Sequence, residues 1–157
     1  MKNLKTIIAV FGLLILTLPV KSEDNKKSFN NHQMNFYTGM FDFSDDGQRA
    51  SLFGIQHQNE SLFIDSFLGK ISPITGFMLT ENKGGYVYTG VQAHYKIGRV
   101  NIVPSFTPGI YGEGDGKDLG HPVEFKSEVQ LSLDLFSNSE VGFSYNHMSN
   151  ASLGEKN

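Results

Sequence analysis

From Val123 to Phe136 the chain alternates almost without a break. Val123, Phe125, Val129, Leu131, Leu133 and Leu135 fall on one side of an extended strand, interrupted only by Ser127. Glu124, Lys126, Glu128, Gln130, Ser132 and Asp134 fall on the other. A period of two marks a β-strand with chemically distinct faces. Similar stretches at 35–43, 49–57, 72–80, 86–97, 99–111 and 140–150 bring the count to seven strands, with 121–136 the sixth in order. Turn formers separate them: Ser44-Asp45-Asp46-Gly47, Glu81-Asn82-Lys83-Gly84-Gly85, Gly98 and Ser137-Asn138-Ser139. Residues 61–70 suit either a strand or a short helical turn. Pro104 and Pro108 weaken the middle of the fifth strand, because proline gives nothing to a strand ladder. Beyond residue 22 no helical period of ten residues or more is found.

A soluble sandwich and a membrane barrel share this alternation. Length separates them. Strands of soluble domains average about 5–6 residues, whereas a tilted membrane strand needs about 9–11. Several stretches here reach the longer figure. Tyr86, Tyr88, Tyr95, Tyr111 and Phe136 fall near strand ends, where aromatic girdles would lie. The pattern predicts an all-β, antiparallel outer-membrane β-barrel, with polar residues turned inward and apolar ones toward lipid.

The amino end supports export. Lys2 and Lys5 precede an apolar run from Ile7 to Leu18, and Pro19-Val20-Lys21-Ser22 follows. This is the form of a secretory signal peptide cleaved after Ser22. The predicted organisation is a signal peptide over 1–22, a polar lead-in over 23–34 and a barrel domain over 35–157. Without Lys2, Lys5 and Lys21, the thirteen basic residues fall to ten against sixteen acidic ones, a net charge of about −6. No basic footprint for nucleic acid is present. There is no cysteine, which excludes disulfides and thiolate metal sites. Glycine and phenylalanine are abundant, at 17 and 13 residues, as suits a β-structure of the cell envelope.

The last stretch carries the candidate chemistry. Val141, Phe143, Tyr145, His147 and Ser149 share one face of the seventh strand, and Gly142, Ser144, Asn146 and Met148 the other. A base and a nucleophile thus emerge on the apolar side, where polar groups are costly without a task or a partner. A serine hydroxyl attacks only when a neighbouring base takes its proton, and histidine changes charge near neutrality. A strand end that simply turns polar gives the same pattern. Elsewhere the sequence offers less. The 113–118 loop has spaced carboxylates but not the register of a calcium loop. Gly114-Asp115-Gly116-Lys117 has the wrong spacing for a phosphate-binding loop. The histidines at 32, 57, 94, 121 and 147 lack metal-ligand spacing. No Gly-x-Ser-x-Gly elbow occurs.

Gly109-Ile110-Tyr111-Gly112-Glu113-Gly114-Asp115-Gly116-Lys117-Asp118-Leu119-Gly120, then Val123-Glu124-Phe125-Lys126, then Asn146-His147-Met148-Ser149-Asn150-Ala151, then Leu153-Gly154-Glu155-Lys156-Asn157, resembles the PagL-type lipid A 3-O-deacylases, also called acyloxyacyl hydrolases. The match is good over 72–157 and holds only in character before it. The resemblance implies an eight-stranded outer-membrane barrel, in which the seven strands seen here lack the last. It implies a Ser-His-Glu triad on the outside of the barrel that removes an ester-linked acyl chain from lipopolysaccharide. It places Ser149 as nucleophile, His147 as base and Asn150 as oxyanion-hole donor, with no metal and no cofactor. The implied partners are lipid A and the outer-membrane lipids; a homodimer is left open. The family's acidic residue lies in an Asn-Pro-Gly-x-Glu stretch, which would begin at Asn157, and Glu155 comes too early for that part. The expectation is therefore a sequence truncated before its acid and closing strand, inactive as residues 23–157 alone. Two other classes stay open: a non-enzymatic outer-membrane barrel, and a soluble periplasmic barrel for small apolar ligands.

Overall fold

The computed structural model describes residues 14–19, 32–44, 47, 49–136 and 139–154. Ten strands form one antiparallel sheet: β1 (Leu14–Pro19), β2 (His32–Phe41), β3 (Ala50–Asn59), β4 (Ile64–Ser66), β5 (Gly69–Thr80), β6 (Gly85–Ala93), β7 (Tyr95–Ile97), β8 (Val100–Gly112), β9 (Val123–Phe136) and β10 (Ser139–Ser149). β4 continues the line of β3 beside the start of β5, and β7 continues β6 beyond a break at His94. The remaining eight pair around a ring. β2 pairs with β3, β3 with β5, β5 with β6, β6 with β8, β8 with β9 and β9 with β10. β1 lies between β10 and β2 and closes the circle.

All seven strands read from the alternation are present, with ends shifted by a few residues; β2 begins at His32 rather than at 35. β1 comes from the apolar run that reads as a leader, and it fills the place of the expected closing strand. The other residues of the predicted signal peptide and most of the 23–34 lead-in lie outside the described residues. β1 meets β10 only at Ile15↔Gly142 and Leu16↔Val141. Among the described residues, Phe143 to Ser149 are therefore paired with β9 alone.

The two faces of the cylinder settle its kind. Among the described residues, fifteen polar or charged side chains are buried against ten hydrophobic ones. On β9, Glu124, Lys126, Glu128, Gln130 and Ser132 are buried, while Val129, Leu133 and Leu135 are exposed on the outside. A water-soluble sandwich would have the reverse. Inside, Lys126 Nζ lies 3.0 Å from Glu128 Oε2 and 4.2 Å from the centre of the Tyr88 ring. The hydroxyls of Tyr37 and Tyr88 are 3.0 Å apart, and Tyr88 donates to Gln56 Oε1 at 2.9 Å. Gln92 donates to Gln58 over the inner face of β5 at 3.1 Å. Side chains fill the lumen, as in other small eight-stranded barrels.

Two expectations are corrected. Tyr86, Tyr88 and Tyr111 form no outer girdle; they are buried in the lumen, Tyr86 completely. They share the inward parity of their strands, so alternation overrides proximity to a strand end. Tyr95 and Phe136 are exposed, as a girdle requires. The prolines of the fifth strand do not interrupt β8. The β6–β8 ladder skips from Tyr88↔Gly109 to Val91↔Phe106, which leaves Pro108 outside it. Opposite this gap Gly90 packs so closely that a Cβ there would come within 2.1 Å of Phe106 O.

Candidate active site

β10 carries the pair to one end of the cylinder. Its register with β9 places Tyr145 across from Val129, His147 across from Ser127 and Ser149 across from Phe125. Parity then turns Tyr145, His147 and Ser149 outward and Ser144 inward, where it is buried. His147 is exposed and Ser149 half-buried. Residues two apart on a strand are separated by roughly 7 Å along it, so direct contact between the two side chains would require them to lean toward each other. Beside them lies an apolar wall. Phe125 stacks on Phe106 of β8, with ring centres 5.9 Å apart. Ile110, Val129, Phe143 and Tyr145 extend the wall, all exposed.

β10 stops at Ser149, and the backbone turns sharply. Ala151 and Ser152 both have left-handed φ, at 52° and 66°. Such a conformation costs a residue with a side chain roughly 1–2 kcal/mol, so the surroundings must hold it. They do so through Asn150. Its side chain is fully buried; Nδ2 donates to Leu119 O at 2.9 Å and Oδ1 accepts from Ser152 N at 2.9 Å. Leu153 N donates to Asn150 O at 3.0 Å. Ser149 Oγ accepts from Ala151 N at 3.1 Å. Strict alternation sends Asn150 to the opposite face from Ser149, and the structure places it there.

The 113–122 loop is the other half of this corner. Gly154 packs onto Gly120 so tightly that a Cβ would lie 2.4 Å from Gly120 O. Asp118 Oδ1 accepts from Gly120 N at 2.7 Å, and Tyr111 donates to Lys117 O at 2.8 Å. Lys117 Nζ reaches Asp42 of the neighbouring loop at 2.5 Å. Lys83 pairs with Asp115 at 2.6 Å. Of the carboxylates that made a calcium loop conceivable, Asp115 thus ties two loops together and Asp118 braces its own, and no metal-binding cluster is found among the described residues. A cavity of about 340 Å³ opens between Tyr111, Leu119 and His121.

The sequence put His147 and Ser149 on one face of the strand and Asn150 on the other, and the structure has the same arrangement. It gave no sign of the contact between Leu119 and Asn150, which depends on a loop returning across thirty-one positions. It also missed a network at the opposite end. There His94 Nδ1 lies 2.7 Å from Glu60 Oε1 and Nε2 lies 3.0 Å from Asn101 Oδ1. Asn101 donates to Asp134, which also pairs with Lys96 at 2.6 Å. None of the ion pairs among the described residues engages His147.

A polar-filled cylinder with an apolar exterior, and an outward serine and histidine at one rim, is a β-barrel of the outer-membrane type. A family model described as Lipid A 3-O-deacylase (PagL) matches residues 41–157. The chain belongs to that family, whose activity is the deacylation of lipid A at the 3-O position. No curated protein and no solved structure gives a match.

Proposed function

We propose that this protein is an outer-membrane esterase that removes the 3-O-linked acyl chain of lipid A, with Ser149 as nucleophile and His147 as its base. The observation that carries the reading is the placement of both residues on the lipid-facing surface, against the Phe106–Phe125 wall. A substrate whose acyl chains never leave the bilayer must be met there. Between β2 and β10 the two long connections, 42–49 and 113–122, lie at the same end as Ser149, while the connections at the opposite end, 60–63, 67–68, 98–99 and 137–138, are two to four residues. Outer-membrane barrels place long loops outside and short turns in the periplasm, so the pair sits at the outer leaflet, where lipopolysaccharide is.

In this mechanism His147 takes the Ser149 proton as Oγ attacks the ester carbonyl. The tetrahedral intermediate collapses, His147 returns the proton to the departing sugar hydroxyl, and water releases the fatty acid by the same route. The oxyanion needs donors. Asn150 follows the nucleophile directly, with its side chain on the opposite face and held on Leu119 O and Ser152 N, so its part in this reading requires the turn to bring one of its N–H groups toward the oxyanion as substrate binds. A donor of this kind is worth ~2.7–4 kcal/mol. The Ser-His-Glu reading calls for a carboxylate on the far nitrogen of His147; in a well-studied triad neutralising that acid lowers turnover by ~10⁴.

The soluble ligand-binding alternative needs an apolar cavity, and this lumen is packed with Gln, Lys and Glu side chains. The test is lipid A mass spectrometry of cells expressing full-length protein, Ser149→Ala or His147→Ala. Each substitution is expected to abolish release of the hydroxy fatty acid while the barrel still shows heat-modifiable gel mobility. Undiminished deacylation by Ser149→Ala would remove the serine-hydrolase reading, leaving a barrel with another task.

A further inference from the structure

The β4–β5 hairpin is the part of the exterior that the deacylase reading leaves without a task. It projects from the end opposite Ser149, through Ile64↔Ile71, Asp65↔Lys70 and Ser66↔Gly69. Its turn is built locally: Ser66 Oγ donates to Gly69 O at 2.9 Å and accepts from Leu68 N at 3.1 Å. Tyr95 fastens it to the barrel by donating to Leu68 O. Phe67 at the tip is 96% exposed and Ile64 75%. An apolar tip so open to water has no reason to be apolar.

The two faces of the hairpin differ. Ile64 and Ile71 lie on the side that continues the lipid-facing exterior of β5, next to Tyr95 and Ile97, both exposed. Lys70 lies on the lumen side, over the Phe63 ring at 4.3 Å, with Asp65 across from it. Height decides what meets the apolar side. At ~3.3 Å per residue and a tilt of about 40°, the exterior of β5 from Leu79 to Ile71 rises roughly 20 Å, and the tip at Phe67 lies roughly 30 Å from Leu79. The apolar band of such barrels is ~25 Å tall. The body of β5 falls short of the band and the tip just passes it.

We infer that this hairpin is a membrane-interface anchor, with Phe67 and Leu68 seated at the level of the lipid headgroups of the periplasmic leaflet. This rests on the barrel spanning a membrane, as the proposed function does. It adds a defined depth for one end of the molecule, and thereby a fixed height for the His147–Ser149 pair at the other.

The chain has no tryptophan, so Phe67→Trp introduces a single fluorophore. Val91→Trp, an exposed outward position within the β6 wall, is the control. Each protein is refolded into phosphatidylcholine vesicles brominated near the headgroup or deep in the acyl chain. The Phe67→Trp emission should be blue-shifted from free tryptophan and quenched more by the shallow bromines. Val91→Trp should be quenched more by the deep ones. Water-like, unquenched emission from Phe67→Trp with a quenched Val91→Trp would overturn the anchor and leave the barrel standing. Blue-shifted but unquenched emission would overturn it in favour of a protein contact, such as a second copy. No quenching at either position would overturn the membrane reading itself. Should Phe67→Trp fail to fold by gel mobility, Leu68→Trp reads the same depth.

Discussion

At the residue scale, the proposed site depends on a turn that holds two residues with side chains in an unfavourable backbone region directly after Ser149. Ala151→Gly should raise stability by about 1 kcal/mol or leave it unchanged, since glycine has no Cβ to strain there. Ala151→Val should lower it by about 1–2 kcal/mol and reduce deacylation, because the turn orients Ser149 through its bond to Ala151 N. Urea unfolding midpoints in detergent and lipid A analysis would check both. If the valine variant matched the parent in both, the strained turn would have no part in the site. The shared face of His147 and Ser149 was legible from spacing alone, since i and i+2 share a face whatever the fold; the roles proposed for them rest on the family resemblance. Asn150 was legible only as lying on the other face. What its amide does there depends on Leu119, which no local pattern can reveal.

At the element scale, β9 carries the argument for membrane insertion. Val129 sits mid-strand, outward and exposed, between Pro104 and Tyr145. At an exposed position of a soluble protein Val129→Arg would change little. Facing the middle of a bilayer it should cost about 2–4 kcal/mol. Unfolding in lipid vesicles, compared with the parent, separates the two; a change below about 0.5 kcal/mol would count against lipid on this face. The strands were readable because period two survives in nearly every one. Their assignment as a girdle or a core was less so. Tyr86, Tyr88 and Tyr111 look like girdle residues in sequence and are lumen residues in space, because parity along the strand, not nearness to its end, decides the side. The 61–70 stretch was ambiguous for a related reason: β4 is three residues long and its partner follows after a two-residue turn, too short for any period to show.

At the scale of the whole molecule, the barrel is held by a polar interior. Lys126 and Glu128 are both nearly inaccessible and bonded to each other. Removing one partner strands the other, so Lys126→Ala should cost about 3–5 kcal/mol. Lys126→Met together with Glu128→Met should recover most of that, since a matched apolar pair leaves no buried charge. A double variant no more stable than the single one would show that the pair does not act as a unit. A barrel was expected from strand length, but the seven strands counted left it one strand short of closure. That its last gap is spanned by β1 was not expected, because the Ile7 to Leu18 run reads as a leader by composition and its pairing is a long-range matter.

The central claim is that a serine and a histidine on the outside of the barrel deacylate lipid A. The most direct measurement is the mass of lipid A from cells carrying the complete coding sequence, beside cells carrying Ser149→Ala. Loss of one 3-O-linked hydroxyacyl chain with the parent, and an intact lipid A with Ser149→Ala, is the expected result. The same lipid A mass in both strains, whether shortened or intact, would contradict it.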